Sequence, residues 1–148
     1  MSTYTQILYH IVFATKNRQL VLLKERGDDM YKYIWGVIQK RDSHLYRIGG
    51  IEDHVHILCS LHPSVALADL VKEIKVASAT WIKANNIFPD FGHWQNGYGA
   101  FTSSEKSKER IVEYIKGQEQ HHHAETSPSE LKRLLIEAGI EFDQKYFE

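Results

Sequence analysis

Asp53-His54-Val55-His56-Ile57-Leu58-Cys59-Ser60-Leu61 is the stretch on which the fold turns. Side chains alternate across a strand, so His54 and His56 share one face, with Cα atoms about 6.6 Å apart, while Val55, Ile57 and Cys59 share the other. A strand over 54–61 with an apolar face needs helices to cover that face. Just upstream, residues 44–48 read as a short strand ended by Gly49-Gly50, and Glu52-Asp53 then turn the chain into a hairpin. Further out, residues 4–13 alternate as another strand, and a polar loop with Lys16 and Arg18 follows. Residues 28–41 carry Met30, Ile34, Val37 and Ile38 at helical spacing behind two acidic residues. Ser64 is a candidate N-cap for a helix reaching Asn85-Asn86, and residues 98–102 form a last short strand. Ser103 or Ser104 caps a helix over about 105–122, and Pro128 opens a final helix that stops near Gly139. The order β-α-β-β-α-β with additional C-terminal helices predicts an α+β fold, the ferredoxin-like split βαβ antiparallel sheet, in which the first and third strands are central.

The chain has 148 residues, 43% of them apolar and 25% charged. That is ordinary globular composition for one domain spanning 1–148, and it argues against disorder. No apolar run approaches the ~20 residues that span a bilayer, and the opening Met1-Ser2-Thr3-Tyr4-Thr5-Gln6 lacks a charged-then-apolar leader pattern. A single cysteine, Cys59, excludes an internal disulfide. These features predict a soluble, reduced, cytoplasmic protein with no membrane partner. Net charge is −1, unevenly spread. Residues 1–50 hold eight Lys and Arg against four Asp and Glu, whereas the tail 124–148 holds three against six. The basic first third permits a polyanionic partner without demanding one. Nine histidines are the unusual count.

Two imidazoles two residues apart on a central strand can converge on one metal ion at ~2.1 Å each. The same spacing also describes two polar residues on the solvated face of an antiparallel sheet. Asp53 is at hand as an acceptor for a ring nitrogen, which favours the metal reading. Within 104–122, Tyr114 and Gln118 lie four apart and share a helix face. Tyr114 could equally be a packing residue and Gln118 a solubilising one. Gly117 in mid-helix costs ~1 kcal/mol against alanine and suggests close approach or a hinge. Of His121-His122-His123, one histidine is expected near the site, with the others in solvent. The aromatic, glycine-rich segment 93–101 is either a packed loop and edge strand or a platform on which Trp94 and Tyr98 stack unpaired bases.

Taken together the motifs resemble the single-tyrosine transposases of the His-hydrophobic-His endonuclease superfamily. The resemblance runs from Tyr9-His10-Ile11-Val12-Phe13-Ala14-Thr15-Lys16 through Asp53-His54-Val55-His56-Ile57-Leu58, Lys72 and Ser78 to Trp94-Gln95-Asn96-Gly97-Tyr98 and Tyr114-Ile115-Lys116-Gly117-Gln118. It implies that His54, His56 and Gln118 hold Mg²⁺ or Mn²⁺ and that Tyr114 is the nucleophile. The implied activity is cutting and rejoining of single-stranded DNA at element-end hairpins through a 5′-phosphotyrosine. It also implies a homodimer that exchanges tyrosine helices, and no nucleotide cofactor. Lys16, Arg18, Lys72, Lys75, Trp94 and Tyr98 are the expected DNA contacts, with the acidic tail 124–148 facing away from the site. Three rival readings stand beside it: a non-catalytic module for single-stranded nucleic acid, a zinc hydrolase built on the histidines, and a domesticated relative acting on host repeats.

Overall fold

The computed structural model describes residues 2–144. Four strands, β1 (Leu8–Ala14), β2 (His44–Ile51), β3 (His54–Ser60) and β4 (Gly99–Ser103), form one sheet in the order β2-β3-β1-β4. Every neighbouring pair is antiparallel. Helices α1 (Gly27–Lys40) and α2 (Leu67–Ala84) complete the split βαβ pattern. β3 and β1 are central, and their register sets His56 opposite Val12 and His54 opposite Ala14.

Alternation sorts the two faces. Ile11, Phe13, Val55, Ile57 and Cys59 point at α1 and α2, where Met30, Ile34, Ile38, Leu70 and Ile74 meet them in the main core. Each of these fully buried aliphatic side chains contributes about 1.5–3 kcal/mol through removal from water. Leu8, His10, His54, His56 and Leu58 occupy the opposite face. That face is not solvated: helix α3 (Lys108–Lys116) packs on it, with Ile115 against Leu8 and Leu58. His54 is 1% and His56 0% exposed, which overturns the alternative of two solvent-facing histidines.

Several boundaries differ from expectation. β1 starts at Leu8 because Tyr4 and Ile7 are exposed and have nothing to pack on. β2 does not break at Gly49-Gly50 but runs through them to Ile51. A Cβ at Gly49 would stand 2.9 Å from the Ile115 carbonyl oxygen, so this glycine is what lets α3 lie down on β2. Ser64 exchanges hydrogen bonds with His62 instead of capping α2, whose N-cap is Ala66. The tyrosine-bearing segment 104–122 is not one helix. Ser104 caps a 3₁₀ turn (Glu105–Ser107), then come α3, a break at Gly117, and the short α4 (Gln118–His121). Finally α5 (Ser127–Glu137), capped by Thr126, folds back toward the histidine face. No helix among the described residues is long and apolar enough to cross a membrane.

Candidate active site

The turn between β2 and β3 places Asp53 beside its neighbour: Asp53 Oδ1 lies 2.7 Å from His54 Nδ1. A carboxylate only accepts, so His54 carries its proton on Nδ1 and turns Nε2 into the face. From β1, buried His10 presents Nε2 at 2.8 Å from His56 Nδ1. Burial and the neighbouring His56 ring push the His10 pKa down to about 3, so it stays neutral. After α4, His122 Nδ1 donates to the Glu125 carbonyl at 2.5 Å, and its Nε2 also turns inward.

Two side-chain oxygens meet these nitrogens. Gln118, 1% exposed, points Oε1 at His54 Nε2 and His122 Nε2, both at 3.0 Å. Its amide orientation is fixed because Nε2 donates to Glu130 Oε2 at 3.0 Å. Glu130 of α5, also 1% exposed, sets Oε1 at 2.8 Å from His56 Nε2, 3.2 Å from His54 Nε2 and 3.3 Å from His122 Nε2. The Tyr114 hydroxyl donates to Glu130 Oε2, and Arg133 Nη2 donates to the Tyr114 oxygen at 3.0 Å. The Tyr114 ring stands 5.8 Å from that of His56 in the same chain.

The donor chemistry fits a cation. Oxygens of a carboxylate and an amide accept only, and the protons of His54 and His122 are committed at Nδ1. Lone pairs therefore face lone pairs at the centre, which is stable only with positive charge between them. Protons can provide it. Burial disfavours charge on His54, but Asp53 and Glu130 outweigh it and raise its pKa to about 9. A metal ion would serve several of these donors at once: His54, His122 and Glu130 form a group that could hold one, and His56 lies outside that group. His121 Nε2 is buried with no hydrogen-bond partner, 3.4 Å from Glu130 Oε2, a further polar atom left open at this centre. Burial opposes ionisation of Glu130, yet hydrogen bonds from His54, His56 and Tyr114 hold its carboxyl far below the usual range. The Tyr114 phenol is pushed upward by burial and by Glu130.

His54, His56, Tyr114 and Gln118 thus lie together on one face of the sheet, linked through Glu130 and Gln118. The surrounding cations divide. Lys72 is exposed and Lys75 half-buried, and the Lys75 ammonium is committed to the carbonyls of Gln95 (2.8 Å) and Gly97. Both line a groove of about 440 Å³ along the segment His93 to Tyr98. On the other side of that segment Arg18 and Tyr98 share a second groove, of about 470 Å³, with Leu131 and Leu135 of α5. Arg18 adopts left-handed backbone (φ 53°) and donates to Ser127 Oγ at 3.3 Å. Lys16 lies on the same turn, and its N–H bonds the His93 carbonyl at 3.0 Å. Trp94 corrects the expectation of a stacking platform. It is 5% exposed, stacked edge-on against Phe13 and Phe91, and its indole N–H donates to Ser78. Tyr98 is 42% exposed and available.

The acidic tail does not face away. It delivers Glu130 and Arg133, which sequence reading missed because an acid in the first turn of a helix has an ordinary electrostatic explanation. His10 of β1 joins the site through His56, and both His121 and His122, not one histidine, reach it while His123 is exposed.

The site is thus a split βαβ sheet whose buried His-x-His pair faces a tyrosine on a covering helix. Residues 3–118 match the family described as IS200-like transposases, and the chain belongs to that family. The ISDra2 transposase TnpA of Deinococcus radiodurans is 28% identical over 120 residues, covering 76% of this chain and 84% of that protein. A crystal structure of a D. radiodurans transposase superposes with a TM-score of 0.61 at 29% identity, over 80% of this chain and 95% of that one. The structure of a REP-associated tyrosine transposase bound to a REP hairpin gives 0.62 at 19% identity, over 82% of this chain and 74% of that one, a likeness of fold.

Proposed function

We propose that this transposase cuts and rejoins single-stranded DNA through a 5′-phosphotyrosine on Tyr114, at a Mg²⁺ or Mn²⁺ site formed by His54, His56 and Gln118. The observation that carries the reading is the buried carboxylate of Glu130, which bonds the Tyr114 hydroxyl on one oxygen and faces the histidine Nε2 atoms on the other. The phenol is thereby held beside a converging set of lone pairs.

A bound divalent cation would polarise the scissile phosphate as a Lewis acid. The chain's own residues do the rest. Tyr114 Oη forms the new bond to phosphorus as the bond to the 3′-oxygen breaks, and the proton that the phenol gives up ends on the departing 3′-oxygen, which leaves as a hydroxyl. Arg133, 3.0 Å from that phenolic oxygen, stabilises the charge that grows on it. Burial of the histidine face keeps water from competing for the phosphotyrosine. The stored bond then allows a 3′-hydroxyl to reverse the step without a nucleotide. Imidazole donors suit Mn²⁺ better than Mg²⁺.

Single-stranded DNA would lie along the two grooves flanking the segment His93 to Tyr98. Lys16, Arg18 and Lys72 would face its phosphates and Tyr98 would stack on a base, while Lys75 would shape the segment. A fold relative bound to a hairpin supports element-end hairpins as the DNA partner. Because Tyr114 reaches the histidines of its own chain, we favour a site complete within one protomer. Exchange of tyrosine helices in a homodimer is the second reading, favoured by the break at Gly117 between Tyr114 and Gln118.

The test is denaturing electrophoresis after incubation with labelled single-stranded DNA from the flanks of the gene and Mn²⁺. A labelled band at protein mass, absent with Tyr114→Phe, is expected. Tight binding without an adduct would favour the non-catalytic module instead.

A further inference from the structure

The match to the family ends at residue 118, yet the centre it defines is closed by residues beyond that point. Helix α5 is unusual in what it buries. An amphipathic helix normally docks through an apolar stripe. Here the two buried residues of α5 are Ser127 and Glu130, both polar, while Leu131, Leu134 and Leu135 are half-buried and Ile136 is exposed. Ser127 Oγ donates to Asp53 Oδ2 at 2.7 Å, gripping the carboxylate whose other oxygen orients His54. Glu130 enters the centre itself.

Distances and charge then agree. Donors bound at about 2.1 Å and at right angles to one another lie about 3.0 Å apart. Glu130 Oε1 lies 2.8, 3.2 and 3.3 Å from the three inward Nε2 atoms, and Gln118 Oε1 lies 3.0 Å from two of them. Two imidazoles and an amide are neutral and would leave a buried divalent charge uncompensated, at a cost of several kcal/mol. Glu130, with Asp53 behind His54, balances it.

We propose that Glu130 is a ligand of the divalent cation, carried in cis by α5, so that cation binding and docking of the tail helix are one coupled equilibrium. This rests on the cation reading above. Oε1 joins the cation while Oε2 keeps the Tyr114 hydroxyl in place, so the tail both completes the centre and aligns the nucleophile.

Binding of Mn²⁺ to the full-length protein, followed by electron paramagnetic resonance of the free ion, tests this without DNA or turnover. Wild type is expected to take one ion, Glu130→Gln to bind it about tenfold or more weakly, and His54→Ala to lose it. Alongside it, trypsin cleavage after Lys132 or Arg133 reports docking of α5. Mn²⁺ should slow that cleavage in wild type and leave it unchanged in His54→Ala. The proposal is overturned if Glu130→Gln binds Mn²⁺ as tightly as wild type or tighter. It also fails if Mn²⁺ speeds cleavage, because Glu130 would then be a placeholder that the ion expels. Wild type that binds no Mn²⁺ would sink the cation reading and this inference together. Should Glu130→Gln fail to fold by circular dichroism, the protease result on wild type decides alone.

Discussion

The two faces of the sheet are built by opposite rules. Against α1 and α2 the contacts are aliphatic and aromatic, and each side chain there is interchangeable with another of similar volume. Against α3, α4 and α5 a small apolar anchor of Leu8, Leu58 and Ile115 holds one end. The other end is a buried polar group of His10, His54, His56, Gln118, His122 and Glu130, joined side chain to side chain. The first face holds the fold together and tolerates shape changes at a graded cost. The second is specific, and removing one member leaves others unpaired in a buried space. Stability and chemistry are thus segregated across one layer of β-structure.

The sharpest break in that comparison is expected from Tyr114→Phe, which should abolish the covalent adduct while leaving DNA retention nearly unchanged. Mixing it with a His54→Ala, His56→Ala chain adds a second reading. If each site is complete in one protomer, the mixture stays inactive, and restored adduct in confirmed heterodimers would establish exchanged helices. On the opposite face, Ile34→Ala should cost about 2–5 kcal/mol in urea unfolding with no change in the residual chemistry per folded molecule. Loss of adduct without loss of stability would erase the distinction between faces. Gly49→Val sits between them: its Cβ would press on the Ile115 carbonyl. It should destabilise by about 1–3 kcal/mol and also lower adduct yield, because α3 carries Tyr114.

A pH series separates the faces differently. In chelator-treated protein the His54 pKa of about 9, raised from 6.5, means that its ion pairs with Asp53 and Glu130 stabilise the fold fully below pH 6.5. That contribution, at most about 3 kcal/mol, is lost as pH rises through 9. Unfolding measured between pH 6.5 and 9.5 should show the decline, and His54→Ala should flatten it. The smallest effect expected is at the DNA grooves. Tyr98→Ala should weaken binding of single-stranded DNA by about 1–3 kcal/mol, with the salt dependence unchanged. Lys72→Ala should instead shallow the salt slope by roughly one ion.

How legible the molecule is in its sequence depends on the range over which each feature is determined. The alternation of Val55, Ile57 and Cys59 against His54 and His56, and the spacing of Met30, Ile34 and Ile38, are local repeats that report directly on face and element. Tyr114 and Gln118, four apart, are readable for the same reason, even though the helix breaks between them. Gly49 and Gly50 read locally as a strand end, whereas in the fold Gly49 admits Ile115 of α3, more than sixty residues later in the chain, and Gly50 admits the β3 backbone at His54. Trp94 reads as a stacking platform in isolation and is a core residue in place, since only the fold brings Phe13, Phe91 and Ser78 around it.

By itself, then, the sequence determined the order and pairing of the strands, the apolar core, the histidine pair and the tyrosine face, because periodicity of two or 3.6 residues is written into neighbouring positions. Only the tertiary structure decided that the histidine face is closed, that His10 and His122 join it, and that Glu130 of the acidic tail lies at its centre. Those facts depend on which distant segments pack together, and a carboxylate at the start of a helix looks the same in sequence whether it meets water or three imidazoles.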